Sequence, residues 1–222
     1  MKKYGHYAVV DLEMCMVPDH NSPGHQGLET IQIGAAMLDR DYKMVSTFDT
    51  FVCPEYGQVN AFIEQLTGIH ESDLEGAPKM EQALTSFMDW VHTYDTDGNV
   101  GALSWSMSDA SQLRKETAGK NIEIPGLSCL LDNWVDAQKL FSKRMNTKHS
   151  YKLSEALFAA GIVPEGQEHN GMSDAVNTAA LLSKLLSGTL VLNPIYESMT
   201  REETTPLTFS LGEAFKGLKF DL

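Results

Sequence analysis

From His6 to Met14 the chain reads HYAVVDLEM, an apolar, β-branched run that ends in two acids. Tyr7 to Val10 has the composition of a buried strand. Asp11 and Glu13 lie two positions apart, so on a strand both carboxylates leave the same face, ~7 Å apart along the backbone, and can converge on one ion. The same spacing occurs at Asp39/Asp41, Glu71/Asp73, Asp73/Glu75 and Asp95/Asp97, where polar surroundings read as solvated loops. What separates Asp11 and Glu13 is their setting. A carboxylate pair at the end of a buried strand is not solvent decoration, so the rest of the chain must cover this strand and give its acids a task.

Around that strand, 222 residues suffice for one sizeable core. With 42% hydrophobic and 21% charged residues the chain reads as an ordinary globule. No apolar run approaches the ~20 residues of a membrane helix. The N-terminal apolar stretch stops at Asp11, which makes a poor signal peptide, so a cytosolic protein without membrane partners is expected. Cys15, Cys53 and Cys129 are odd in number and scattered, as reduced thiols are. The array Cys15, His20, His25 has zinc-like spacing but sits in a Pro/Gly loop with no fourth ligand, and is set aside as coincidence.

Two further strands follow, Thr30 to Leu38 and Met44 to Val52, joined by DRDYK as a hairpin. A short helix from about Val59 to Leu66 leads into the loop TGIHESDLEGAP. Pro78 opens a helix to about Tyr94, striped by Ala83, Leu84, Phe87, Met88 and Val91. Val100 to Ser104 is a short strand, Asp109 to Gly119 a helix ended by its glycine, and Trp134 to Ala137 a strand. Helices Leu153–Ala160 and Met172–Leu186 close a layered α/β core with a mixed sheet. Residues 1–188 are expected to form one domain, and 189–222 an extension packed back upon it.

The net charge of −13 argues against bulk electrostatic holding of long nucleic acid. Locally the balance reverses. From Lys139 to Lys152, KLFSKRMNTKHSYK holds five of the 17 basic residues and no acid. Its spacing suits a solvated helix face and loop, or else a phosphate-steering patch.

Three more residues could join the strand acids. Asp109 stands where a buried strand meets the next helix, and as a helix N-cap it would need no further role. Asp174 opens the last core helix, where acids favour the dipole. His169 precedes Asp174 by five positions in HNGMSDAVNTAALL.

Together these pieces resemble the DEDDh family of 3′→5′ exonucleases, which carry an Asp-x-Glu strand, an isolated mid-chain Asp, and a His five positions before a last Asp. The branch with the histone-mRNA and enhanced-RNA-interference exonucleases is the nearer likeness. It rests on VVDLEMC, ETIQIGAAMLD, LTGIHESDLEGAP, LSWSMSDASQL, NWVDAQKLF and KLSEALFAAGIVPEGQEHNGMSDAVNTAALL, in family order from about Tyr7 to Leu186. Ser173 stands where many relatives have a second Asp, and Gln32 where a Glu is frequent. These departures bear on substrate preference.

The resemblance implies an RNase H-like three-layer α/β fold, with a five-stranded mixed sheet flanked by helices. It implies that Asp11, Glu13, Asp109 and Asp174 hold two Mg²⁺ or Mn²⁺ ions, with Asp11 bridging them and His169 as general base. All-oxygen ligation suits these hard cations, and an unperturbed imidazole, with pKa ~6.5, suits a base at neutral pH. Met14 and the segment Leu66, Thr67, Gly68, Ile69 would meet the terminal nucleotide, and Lys143, Arg144 and Lys148 would guide the upstream backbone. The expected substrates are single-stranded 3′ ends, RNA favoured and DNA possible, released as nucleoside 5′-monophosphates. The rival readings are a catalytically silent nucleic-acid-binding module and an exonuclease subunit of a larger complex.

Overall fold

The computed structural model describes residues 3–18, 27–95 and 99–203; His20, His25 and the tail from 204 onward lie outside them. Five strands form one sheet: β1 (His6–Met16), β2 (Leu28–Asp39), β3 (Met44–Phe51), β4 (Val100–Ser104) and β5 (Trp134–Asp136). Their order is β3-β2-β1-β4-β5. The β1–β2 and β2–β3 pairs are antiparallel, while β4 runs parallel to both β1 and β5.

Strand β1 is central because both its faces are apolar. Ala8, Val10 and Leu12 pack against Leu84 and Phe87 of α2 (Met80–His92) and Leu113 of α3 (Ser108–Lys120), below one face. Tyr7 and Val9 pack against Ala179 and Leu182 of a long helix, Gly171–Leu186, above the other. Side chains alternate along a strand, so Asp11 and Glu13 share the upper face with Tyr7 and Val9. The mixed five-stranded sheet with helices on both faces is the RNase H-like architecture expected.

The remaining helices are α1 (Ala61–Thr67), α4 (Leu127–Asp132), α5 (Ala137–Arg144), α6 (Leu153–Ala159), α7 (the Gly171–Leu186 helix) and α8 (Pro194–Glu203). A 3₁₀ turn spans Glu71–Leu74, inside the stretch read as loop. α2 starts two residues after Pro78, whose carbonyl instead accepts a 2.9 Å bond from the Cys53 N–H. α3 ends not at Gly119 but at Asn121, whose left-handed backbone (φ 53°) caps it. Asn takes that conformation more readily than most residues. α4 is only six residues long, too short to show a helical period. Leu190 and Tyr196, before and within α8, pack on Ala156 and Leu157 of α6. Among the described residues no helix is long and apolar enough to cross a membrane.

One polar cluster ties the lower layer to the sheet. The Lys120 ammonium, buried at the end of α3, lies 2.6 Å from Glu29 Oε1, 2.9 Å from Glu116 Oε1 and 3.4 Å from Glu55 Oε1. Glu116 Oε2 also accepts from the Thr30 N–H at 3.1 Å and the Thr30 hydroxyl at 2.7 Å. Burial alone would raise the Glu29 carboxyl, but Lys120 and the N–H groups of Tyr56 and Glu55 together hold it below its ordinary value.

Candidate active site

Three glycine and amide contacts bring the upper helix onto the acids. A Cβ on Gly34 would overlap the backbone of Gly171 and Met172, so only glycine lets the start of α7 rest on β2. Gly171 faces the carbonyl of Asp11, where a Cβ would stand 3.2 Å away. Gln32, paired with Glu13 across the β1–β2 ladder, accepts a 3.0 Å bond from the Gly171 N–H and donates one of 2.8 Å to Asp49. The Asn170 side chain caps α7 through the Ser173 N–H. One turn into the helix, Asp174 then faces β1.

Asp109 enters from the other side. It is the second residue of α3, and its carboxylate does not act as the helix N-cap, a place taken by Met107 without a side-chain bond. Instead Asp109 Oδ1 accepts a 3.1 Å bond from the Leu12 N–H on β1, and Oδ2 accepts from Ser108 Oγ at 3.2 Å. Asp109 thus serves not as a cap but as a long-range partner of β1, bonded to the residue that separates Asp11 from Glu13.

All four carboxylates, with His169 and Met14, line one cleft of about 570 Å³. Glu13, Asp109 and Asp174 are each over nine-tenths buried, and none of the four has a Lys or Arg ion-pair partner among the described residues. Burial, then the charges of Asp109, Glu13 and Asp174, holds the Asp11 carboxyl well above its ordinary value. Burial, then Asp174 and Asp109, pushes Glu13 up to about 8. Asp109 is pushed by burial to about 6 despite the Leu12 and Ser108 bonds. Asp174 is also raised by burial, which the His169 N–H partly offsets. Four acids that resist ionisation side by side are what a divalent cation relieves.

His169 sits at the rim, exposed, in a left-handed turn (φ 61°). Its backbone N–H donates to Asp174 Oδ2 at 2.9 Å. A ring nitrogen of His169 and carboxylate oxygens of Glu13 and Asp174 all lie within 4.8 Å of one another. The loop before it is clasped by Asn177, whose amide accepts from the Glu165 N–H at 2.9 Å and donates to the Glu165 carbonyl at 3.0 Å. Asn177 was not among the sequence candidates. Its signal was an amide three residues after Asp174, on the same face of an apolar helix.

The other expected contacts divide. Met14 borders the cleft, whereas Leu66, Thr67, Gly68 and Ile69 are not among its lining residues. Thr67 and Ile69 are buried, the Thr67 hydroxyl donating to the Ile63 carbonyl at 2.9 Å. Gly68, with φ 73°, does abut the Gln167 amide, two residues before His169. Lys143 and Lys148 line an adjoining groove, and Arg144 is exposed outside its lining. Sequence reading also missed the far wall of the cleft, formed by Trp105, Tyr151, Leu153 and Leu157.

Comparison with known proteins gives a concordant result. Residues 8–182 match the model of the RNase_T family, described as Exonuclease. The chain is 27% identical over 205 residues to ERI1 exoribonuclease 2 of Danio rerio, covering 84% of this chain but 36% of that protein. It is 23% identical over 206 residues to the 3′-5′ exonuclease Snipper of Drosophila melanogaster, covering 84% of this chain and 71% of Snipper. The chain thus spans about a third of the first relative's length. Among solved structures, the nuclease domain of 3′hExo, a DEDDh family member bound to rAMP, superposes with a TM-score of 0.72 at 22% identity, over 86% of this chain and 96% of that one.

Proposed function

The chain belongs to the RNase_T exonuclease family, in its DEDDh 3′→5′ branch with the histone-mRNA and enhanced-RNA-interference enzymes, and from that premise we propose that it removes nucleotides singly from single-stranded 3′ ends, RNA before DNA. The observation that carries this reading is the convergence of Asp11, Glu13, Asp109 and Asp174 in one cleft, none of them ion-paired to a Lys or Arg among the described residues.

Their donor set fits hard divalent cations: carboxylate oxygens, no thiolate, and raised proton affinity with no Lys or Arg ion pair among the described residues. Asp11, Glu13, Asp109 and Asp174 would hold two Mg²⁺ or Mn²⁺ ions, which when bound stabilise charge on the attacking and leaving oxygens of an in-line displacement at phosphorus. His169, at the cleft rim, takes the proton from the attacking water, and its loop is held for this by Asn177 and Asp174. Met14, on the cleft wall, contacts the terminal nucleotide. The product is a nucleoside 5′-monophosphate. A binding module without turnover would have no use for His169 at this place.

The test uses 5′-labelled single-stranded RNA and DNA with free or blocked 3′ ends. Stepwise shortening from free ends is expected, lost with chelator and with Asp11→Ala. Equal cutting of blocked ends would refute the exonuclease reading.

A further inference from the structure

A second groove, of about 660 Å³, runs on from the cleft. The two share Gln138 and Ser150, so they form one continuous surface. Lys152 lines the cleft, and the adjoining groove is lined by Lys139, Lys143 and Lys148 with no acidic residue. Lys139 is partnered by Asp136 at 3.1 Å. Lys143 and Lys148 are exposed and have no acidic partner among the described residues. In a chain of net charge −13, two cations without acidic partners, in a groove whose nearby acids Asp136 and Glu155 are engaged by Lys139 and His149, are an island of positive potential.

The junction is rigid. Gln138 Nε2 donates to the Tyr151 carbonyl at 2.7 Å, Trp105 Nε1 donates to the same carbonyl at 3.0 Å, and Ser150 Oγ donates to Gln138 Oε1 at 2.8 Å. These bonds strap the Ser150–Tyr151 segment to α5, so the floor between the acids and the lysines is fixed. From Gln138 to Lys143 the helix advances ~7.5 Å, which sets Lys143 more than one helical turn from the residue that the cleft and the groove share.

We infer that this groove is the track of the substrate strand: the backbone upstream of the scissile phosphate leaves the acidic cleft over Gln138 and Ser150 and places its phosphates on Lys143 and Lys148. This deepens the exonuclease reading and rests on it. The track gives an acidic protein its hold on nucleic acid, and it favours tails long enough to reach the lysines over the shortest substrates.

The test compares kcat/KM for an adenosine dinucleotide and an oligoadenylate dodecamer in the wild type, in Lys143→Gln/Lys148→Gln and in Lys143→Arg/Lys148→Arg. In the glutamine variant the dodecamer-to-dinucleotide ratio should fall about tenfold at low salt, and its log–log salt slope should weaken by about 1.4, ~0.7 for each phosphate released from a single strand. The arginine variant, which keeps the charge, should retain the ratio. An unchanged ratio and slope in the glutamine variant overturn the track. Should the wild type cleave neither oligomer, the exonuclease reading fails by itself. Fluorescence anisotropy of the labelled dodecamer on the same proteins then decides the groove: weaker binding by the glutamine variant supports the track, and equal binding, or preference for an oligoglutamate peptide, overturns it.

Discussion

The side-chain oxygen of Gln32 accepts a 3.0 Å hydrogen bond from the backbone N–H of Gly171, 139 residues further along the chain. Gln32 faces Glu13 across the ladder, and Gly171 begins the helix that carries Asp174. The bond therefore fixes two of the four acids relative to each other. Gln32→Leu leaves a buried N–H and Asp49 without their partner, which costs about 1–3 kcal/mol. Urea unfolding should show that loss, and Mn²⁺ affinity should fall with it; a variant with normal stability and affinity would show that the bond does not position α7.

Lys120 holds the lower layer in the same sense. Lys120→Met leaves Glu29 and Glu116 buried without their cation, and breaking such a cluster costs about 3–5 kcal/mol. Because Glu29 is held below its ordinary value when paired, its contribution is present at neutral pH and lost as pH falls through the folded value. The gap between variant and wild type in chemical unfolding should therefore narrow in acid.

The acids of the cleft have the opposite sign. Glu13 and Asp109, with ordinary values of 4.5 and 3.8, are pushed up to about 8 and about 6. The folded, metal-free protein thus binds more protons than the unfolded chain, and this contribution is full below about pH 4 and lost as pH rises through about 6 and then about 8. In chelator, the melting temperature should drop between about pH 6 and about pH 8.5. Mn²⁺ should raise it more at the higher pH, and Asp11→Asn should raise it without metal. A melting temperature that climbs over this range in chelator would contradict the mutual repulsion of these groups.

How much of this was readable in the sequence follows the range of each interaction. Asp11 and Glu13 stood out because their own strand is apolar, a property of neighbouring residues. Asp109 and Asp174 could not be separated from ordinary helix-start acids, since the Leu12 N–H that receives Asp109 and the glycine contact that lowers α7 are tertiary. Their order along the chain, matched to a family pattern, supplied what single positions lacked. Gln32 was read only as a family departure bearing on substrate preference, and Lys120 went unread, for the same reason: a Lys near a helix C-terminus ordinarily faces solvent, and nothing local says that this one is buried among three glutamates. The helix α4 escaped because it is too short for a period, and α8 because its only apolar residues after Pro194 among those described, Ile195, Tyr196 and Met199, cover barely one turn.

His169 has two chemically distinct uses, since its ring lies within ligand reach of Glu13 and Asp174. As the proton acceptor it affects turnover and not cation binding. His169→Gln should lower kcat by about 10²–10⁴-fold, with Mn²⁺ affinity by calorimetry unchanged. A parallel loss of affinity would make it a ligand instead.

Diffraction at the manganese edge from crystals grown with Mn²⁺ examines the four acids themselves. Anomalous peaks should lie between Asp11, Glu13, Asp109 and Asp174, and should vanish in Asp11→Ala crystals. Peaks elsewhere with none among these carboxylates would contradict the assignment of this cleft as a metal-dependent nuclease site.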